Sequence, residues 1–487
     1  MHPVNCRALF ASIVAALIPS SILLSQQKER YVPTPDKPLR VTTAAVRAVR
    51  AELQRARGLE PDKVTAHPAA ASFPGAVSAK AKRVTRTTDI VVKTKTWRAR
   101  GIYANSSSNV WHSTGLYAPP GGVVTVHLAK ELLDLGLQAR IGCHSDRLWR
   151  KRTWRRIPEI TRTWALTRGM TKIASEFGGL IYVEVPIRCQ RSKFSVKVSG
   201  GVEAPYFVLG KTGLDAWRKS IRNHPAPWAE LASDKFILSV PSRVVRKLDD
   251  PESLMKLWDQ VLDADADLAA WPRDRYRPER FVLDTQISVG YMHSGYPLMG
   301  QLDVADVIVS KDRLKKNKHS GIWGLFHELG HNHQSGDWTF SGTTEVTVNL
   351  FTLYVYDQVL NNKTPRREIL GGARQRKLKR YLDGGARFKT WQRDPFLALI
   401  TYAQLQEAFG WAPFKKVFAE YGKLSREKKR WSDAEKRDQW MIRFSRTVGR
   451  NLGPFFQAWG IPTSKQARAS IEKLPKWMPK DFPAAKE

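Results

Sequence analysis

The segment His327-Glu328-Leu329-Gly330-His331 constrains this chain more than any other part of it. Two histidines four apart share one face of a helix, where both imidazoles reach a single metal ion and the intervening glutamate stands beside it. The segment bearing His327 and His331 is therefore expected to be helical, with the two histidines as ligands of one zinc ion. A catalytic zinc needs a third protein ligand and an open position. Glu345, 14 residues after His331 and past a turn containing Gly and Ser, suits a second helix folding back on the first. Val346, Thr347 and Val348 favour strand by propensity, but the ligand geometry requires a helix, and helix is the reading adopted.

With three protein ligands the ion acidifies water, and Glu328, which is not a ligand, takes the proton and passes it to a leaving amine. That is the chemistry of a peptide hydrolase. The developing oxyanion needs a donor, and Tyr291, His293, Tyr296 and Tyr354 are candidates that the sequence does not rank. Asn349, one helical turn after Glu345, is placed to orient a ligating imidazole. His333 falls on a different helical face from the ligand pair, which suggests hydrogen bonding behind the site or facing substrate; a surface histidine is the alternative. Trp338, on the connecting segment, either stacks on a sugar ring or substrate side chain or packs in the core under the loop.

The rest of the chain reads as an α+β multidomain protein. Arg7 and the apolar stretch Ala8–Leu24 mark residues 1–25 as a secretory signal peptide or an uncleaved signal anchor, so the protein is expected to be secreted, periplasmic or at the cell surface. Contact with a membrane is expected only through such an anchor. Residues 26–82 are rich in Pro, Ala and charge and read as a flexible basic linker with one possible helix, Thr43 to Gly58. Short alternating runs at Asp89, Val123, Leu180 and Phe194 make 83–212 a β-sandwich. Residues 213–364 mix helices with strand candidates at Phe236, Phe281 and Val304–Val309 and form the catalytic domain. Helical periods, among them Pro395–Phe409 and Ala434–Val448, make 365–487 a helical subdomain. Of three cysteines, Cys143 and Cys189 would survive signal removal; a disulfide and two buried thiols are both open.

Charge narrows the partners. Lys+Arg 80 against Asp+Glu 45 leaves +35 over 487 residues, a field that attracts anionic polymers or surfaces. Basic clusters lie at Arg147–Arg156, Lys311–Lys318 and Arg426–Arg430. Anionic glycans fit this charge if the second cluster lines the cleft mouth, and no specific nucleic acid is expected.

Several separated motifs resemble the enhancin-like zinc metallopeptidases, peptidase family M60, which are gluzincins. They are Thr114-Gly-Leu-Tyr-Ala-Pro-Pro-Gly, Phe177-Gly-Gly-Leu-Ile-Tyr-Val, Ala226-Pro-Trp-Ala-Glu-Leu, Gly290-Tyr-Met-His-Ser-Gly-Tyr-Pro-Leu-Met, the zinc motif with Thr344-Glu-Val-Thr-Val-Asn, and Trp459-Gly-Ile-Pro. The resemblance implies a β-sandwich leading into a thermolysin-like domain, with His327, His331 and Glu345 as zinc ligands and Glu328 as acid and base. It further implies a glycoprotein or mucin substrate cut beside an O-glycosylated residue, Gly290–Met299 as edge strand and cleft wall, and Trp338 as a sugar contact. Where thermolysin-like enzymes carry an aspartate one turn after the third ligand, this chain has Asn349, which leaves the imidazole less basic. Two rival readings are a general zinc endopeptidase with no sugar requirement, and a polyanion- or glycan-binding surface protein with an inactive zinc site.

Overall fold

A computed structural model describes residues 31–93, 101–316, 321–424 and 431–483. The expected signal or anchor at 1–25 and the basic cluster at 426–430 lie outside them, as do Asn317 and Lys318. Among the described residues no helix is long and apolar enough to cross a membrane.

Residues 31–82 are packed, which corrects the expectation of a flexible linker there. Thr43–Arg57 is a helix whose first turn is capped by the Thr42 side chain, accepting from the Ala45 amide. Ala45, Val49 and Leu53, four apart, form its buried stripe. Further on, Ala69, Ala70 and Phe73 are buried, and Phe73 meets the Trp228 ring edge-on at 5.8 Å. Pro and Ala content resembles that of a linker, but here the alanines fit tight contacts and the proline-bounded turns are anchored by Phe73.

Ten strands follow through residue 203: β1 (Leu39–Arg40), β2 (Arg83–Val91), β3 (Val110–Ala118), β4 (Val124–His127), β5 (Gln138–Ile141), β6 (Thr153–Trp154), β7 (Arg162–Ala165), β8 (Met170–Ile173), β9 (Gly179–Val185) and β10 (Lys193–Glu203). β1 and β6 form a two-stranded ladder, and the others join in one sheet of order β7-β5-β9-β3-β10-β4-β8, with β2 also paired to β10. Ile90, Leu116, Val126, Ile141, Ile181 and Val196 from strands across this sheet meet in one core, so the sheet curls on itself. The two layers expected of a sandwich are thus continuous through hydrogen bonds. Alternation on β10, buried at Phe194, Val196 and Val198 and exposed between them, is what aims these side chains inward. Cys143 and Cys189 are free, buried thiols, so no disulfide joins them.

The second sheet contains β11 (Tyr206–Val208), β12 (Trp228–Ala232), β13 (Phe236–Pro241), β14 (Glu279–Asp284), β15 (Met292–His293) and β16 (Leu298–Gln301), in the order β11-β12-β13-β14-β16-β15. β15 runs antiparallel at its edge. The sheet carries the helices Pro251–Leu268, Gly321–His333 and Thr344–Gln358. Val304–Val309, expected as a strand, is instead a 3-10 turn followed by the short helix Ala305–Ile308. Its apolar residues are buried on one side as a helical turn, a pattern that a six-residue β-branched run does not reveal. The C-terminal part is helical, including Pro395–Phe409 and Asp433–Val448, the latter opened by a capping box between Ser432 and Glu435.

Two buried arginines fasten the halves together. Arg280 on β14 pairs with Glu230 on β12 and also donates to the Trp111 carbonyl and Ser113 Oγ, both at 3.1 Å, on β3. Arg156 pairs with Asp284 at 2.7 Å, and neither side chain is exposed. Each buried charge has its opposite in contact, which is the condition for placing it there at all.

Candidate metal centre

The motif helix Gly321–His333 and the helix Thr344–Gln358 pack closely enough that a Cβ on Gly330 would come within 2.9 Å of Phe351 Cβ and 3.1 Å of the Val348 carbonyl. Glycine at the fourth position of the motif is therefore what lets the two helices approach. The second helix forms despite its β-branched start because it is buried nearly all round, from Val346 to Tyr356. Tertiary burial overrides local propensity, and Glu345 lies in its first turn.

His327, His331 and Glu345 offer ligand atoms that all lie within 4.8 Å of one another. Glu345 Oε2 is 3.0 Å from His327 Nε2 and 3.5 Å from His331 Nε2. The other ring nitrogens are already committed: His327 Nδ1 donates to Asn349 Oδ1 at 2.8 Å, and His331 Nδ1 to Gln334 Oε1 at 3.0 Å. With Nδ1 so committed, Nε2 of each ring turns toward the carboxylate: it donates to Glu345 when the ring is protonated and offers its lone pair to an ion when the ring is neutral. Two neutral imidazoles and a carboxylate are the donor set of a catalytic zinc site, and the residues present fit that ion. Hydrogen bonds from both histidines hold the Glu345 carboxyl well below the usual range, against the effect of burial. Burial lowers the His327 pKa, but hydrogen bonds to Glu345 and Asn349 and the charge of Glu328 more than offset it, and the net shift is upward.

Glu328 is half-buried beside the ligands. Burial raises its pKa, and the neighbouring histidines only partly counter that, so the carboxyl holds a proton more readily than a solvated glutamate. His293 on the edge strand β15 feels the charge of Glu328 and is itself held by Asp146, whose Oδ2 accepts from Nε2 at 2.9 Å. Burial works against the charged imidazole, but Asp146 outweighs it and the His293 pKa is raised. Its Nδ1 donates to the Ser294 carbonyl at 2.9 Å. Both N–H groups are thus spent, and His293 contributes a fixed positive charge in place of the expected oxyanion donor.

The remaining expected donors are also committed or enclosed. Tyr291 donates to Asp303 at 2.7 Å, Tyr296 is buried with its hydroxyl accepting from the Trp111 amide, and Tyr354 is buried against Trp411. His333 points away from the ligands: Arg275 donates to its Nε2 at 2.7 Å, and its Nδ1 donates to the Leu329 carbonyl. At 1% exposure it belongs to the core. Trp338 is 2% exposed and stacks on Phe418 at 4.1 Å, so core packing is the reading that holds and the sugar contact does not. Asn349 occupies the expected place and adds a bond from Nδ2 to the Glu345 carbonyl.

Three residues escaped the sequence reading. Gln334 orients His331 and, through Nε2, donates to the Thr344 carbonyl and Thr347 Oγ1, so one amide ties both ligand-bearing helices. Asn332 joins the motif helix to Gly295 beside the edge strand and to Glu279. Tyr103 stands 5.1 Å from the His331 ring at 76°, and its side chain is exposed. Its loop is clamped to the helix end, where Ile102 donates to the Gln334 carbonyl and a Cβ on Gly101 would overlap the Asn332 carbonyl. The Gly101 approach is a signal, but only with the partner backbone in view.

Residues 200–460 match the family Peptidase M60, enhancin and enhancin-like, and residues 79–199 match the N-terminal domain of M60-like peptidases. TRPM8 channel-associated factor 3 of Mus musculus is 42% identical over 379 residues, which cover 77% of this chain and 40% of the relative. The chain thus spans about two fifths of that relative's length. The ZmpB metallopeptidase from Clostridium perfringens has a similar fold, with TM-score 0.59 and 17% identity over 80% of each chain. IMPa from Pseudomonas aeruginosa, solved in complex with an O-glycopeptide, superposes with TM-score 0.58 and 16% identity, covering 89% of this chain and 59% of that one.

Proposed function

The chain belongs to the M60 peptidase family, enhancin and enhancin-like, and from that premise we propose that it is a zinc-dependent endopeptidase of glycoproteins, with mucin-type O-glycosylated chains as substrate. The observation that carries the reading is the meeting of His327, His331 and Glu345, with Glu328 beside them, the Glu345 carboxylate exposed, and no fourth His, Cys, Asp or Glu grouped with the three among the described residues. A relative in fold is bound to an O-glycopeptide, which supports the glycan preference. Export, supported by Arg7 and the apolar stretch that follows it, would bring the enzyme to such substrates.

His327, His331 and Glu345 would hold one zinc ion, with Asn349 and Gln334 fixing the tautomer and tilt of the two imidazoles. When bound, zinc supplies the Lewis acidity that makes water nucleophilic near neutral pH. Glu328 accepts a proton from water at its carboxylate, retains it because burial raises its pKa, and delivers it to the departing amine. The positive charge of His293, fixed by Asp146, limits how far that pKa rises. Tyr103, exposed and with its ring 5.1 Å from that of His331, carries a hydroxyl with no partner among the described residues, and we assign it the hydrogen bond to the oxyanion.

Relatedness to a TRPM8 channel-associated factor favours a second reading, in which the fold binds a membrane channel and hydrolysis is not used. One comparison decides: wild type and Glu328→Gln, both with measured zinc content, on an O-glycopeptide and its bare counterpart. Cleavage of the glycopeptide alone, abolished in the zinc-loaded variant, is expected. Equal cleavage of both peptides would remove the glycan requirement, and no cleavage by zinc-loaded wild type would favour the binding role.

A further inference from the structure

The excess positive charge is not spread evenly, and the site chemistry does not use it. The helix Thr43–Arg57 turns Ala45, Val49 and Leu53 inward and presents Arg47, Arg50, Arg55 and Arg57 to solvent. Beside it, the loop after Asp146 exposes Arg147, Arg150, Arg152 and Arg155, and Arg40 on β1 joins them through its pairing with Thr153. The two segments are one surface: the Arg50 guanidinium lies over the Trp149 ring at 5.2 Å, and Arg57 and Arg147 share the carboxylate of Glu159. Among the described residues Arg40, Arg47, Arg50, Arg55, Arg150 and Arg152 form no ion pair. Guanidinium groups gathered this closely repel one another even with Glu159 shared between the two segments, and the fold tolerates this through solvent screening or an outside anion.

The position of this surface matters as much as its charge. Asp146, the residue that precedes the loop, is the one that holds His293 beside Glu328. The far end of the loop is bolted to the catalytic sheet, since the Arg155 amide donates to Gln286 Oε1 at 2.8 Å and Arg156 pairs with Asp284. The arginine surface is therefore rigidly continuous with the wall of the candidate cleft. Its cations are nearly all arginine, whose planar fork matches the oxygens of a sulfate better than a lysine does.

We propose that the face formed by the helix Thr43–Arg57 and the loop Arg147–Arg155 is a docking surface for sulfated glycan chains carried by the substrate glycoprotein. The site itself requires only the charge and shape described; that its ligand rides on the substrate rests on the glycoprotein reading above. A densely sulfated chain laid across this face satisfies the unpaired guanidinium groups and brings the attached polypeptide to the edge strand β15.

The test uses the full chain and a heparin oligosaccharide as probe. Wild type is compared with R47Q/R55Q/R150Q/R152Q and with a control, R188Q/R191Q/R446Q/K473Q, which removes the same charge elsewhere on the surface. Heparin is expected to bind wild type and control alike, to raise their thermal midpoints, and to bind the patch variant at least about tenfold more weakly. Cleavage of an unsulfated glycopeptide is expected to be equal in all three. Equal weakening in patch and control variants would overturn the proposal in favour of diffuse charge. So would tighter binding, at matched charge, to single-stranded DNA or to phosphatidylserine vesicles. Heparin binding lost in the patch variant while wild type cleaves nothing leaves the surface standing and defeats the peptidase reading; cleavage without heparin binding does the reverse.

Discussion

Gln334 and Asn349 each spend an amide oxygen on the Nδ1–H of one ligating histidine; the Gln334 amide nitrogen also grips the helix that carries Glu345, and that of Asn349 donates to the Glu345 carbonyl one turn back in its own helix. Removing either group frees an imidazole to rotate and releases a helix contact, so Gln334→Ala and Asn349→Ala are each expected to weaken zinc binding by about 10–100-fold. Chelator competition on the purified variants measures this without reference to activity. Tyr103→Phe removes only a hydroxyl; kcat is expected to fall about 100-fold with zinc affinity unchanged, and an unchanged kcat would remove Tyr103 from the mechanism. Asn349 was legible because one helical turn after a presumed ligand is a fixed place in space. Gln334 and Tyr103 were not. A glutamine three residues past a ligand reads as a helix end, and a tyrosine far upstream comes near His331 only after the two matched regions of the chain dock.

Elements show the same division between local rule and tertiary contact. The motif helix follows from the four-residue spacing of its histidines, whereas Thr344–Gln358 contradicts its own β-branched start and is helical because its neighbours enclose it. The docked pair makes Gly330 the sensitive position. An added methyl meets Phe351 and Val348 with no flexible side-chain end to yield, so Gly330→Ala is expected to destabilise by roughly 1–3 kcal/mol and to loosen the alignment of His331 with Glu345. Its zinc affinity should fall even where the fold survives, and a variant with wild-type melting and zinc binding would refute the packing argument. The segment 26–82 failed at this scale for the opposite reason. Its composition carries no long apolar run, and the buried stripe of Ala45, Val49 and Leu53 uses small or sparse side chains that gain burial only within the core they share with residues such as Leu148, Trp154 and Ile157.

At the scale of the whole molecule, the two matched regions share a core that seals in His144 and half-buries His112. His144 lies between Trp228 at 4.3 Å and Phe73 at 4.6 Å, and His112 sits on β3 near Arg280. Burial, reinforced by Arg156 for His144 and by Arg280 for His112, favours the neutral ring; the His112 pKa is lowered to about 4 and that of His144 well below its usual value. As pH drops below about 6.5 the unfolded chain takes up protons on these rings while the folded chain does not. Unfolding is therefore promoted by acid, by about 1.4 kcal/mol per pH unit for each ring, and the stability present above pH ~6.5 is lost as pH falls towards 4. Buried Asp265 and Asp284, whose pKa values burial raises, act in the opposite sense, so the raw pH profile mixes both effects. A difference measurement separates them: denaturant titrations of wild type and of His112→Asn/His144→Asn between pH 6 and 4.5. Because the variant lacks both titrating rings, its stability is expected to fall with pH by nearly two protons' worth less than wild type, whatever its absolute stability. Parallel slopes for the two proteins would mean that these histidines can charge within the fold, and that the core joining the two regions is more open to water than their burial implies.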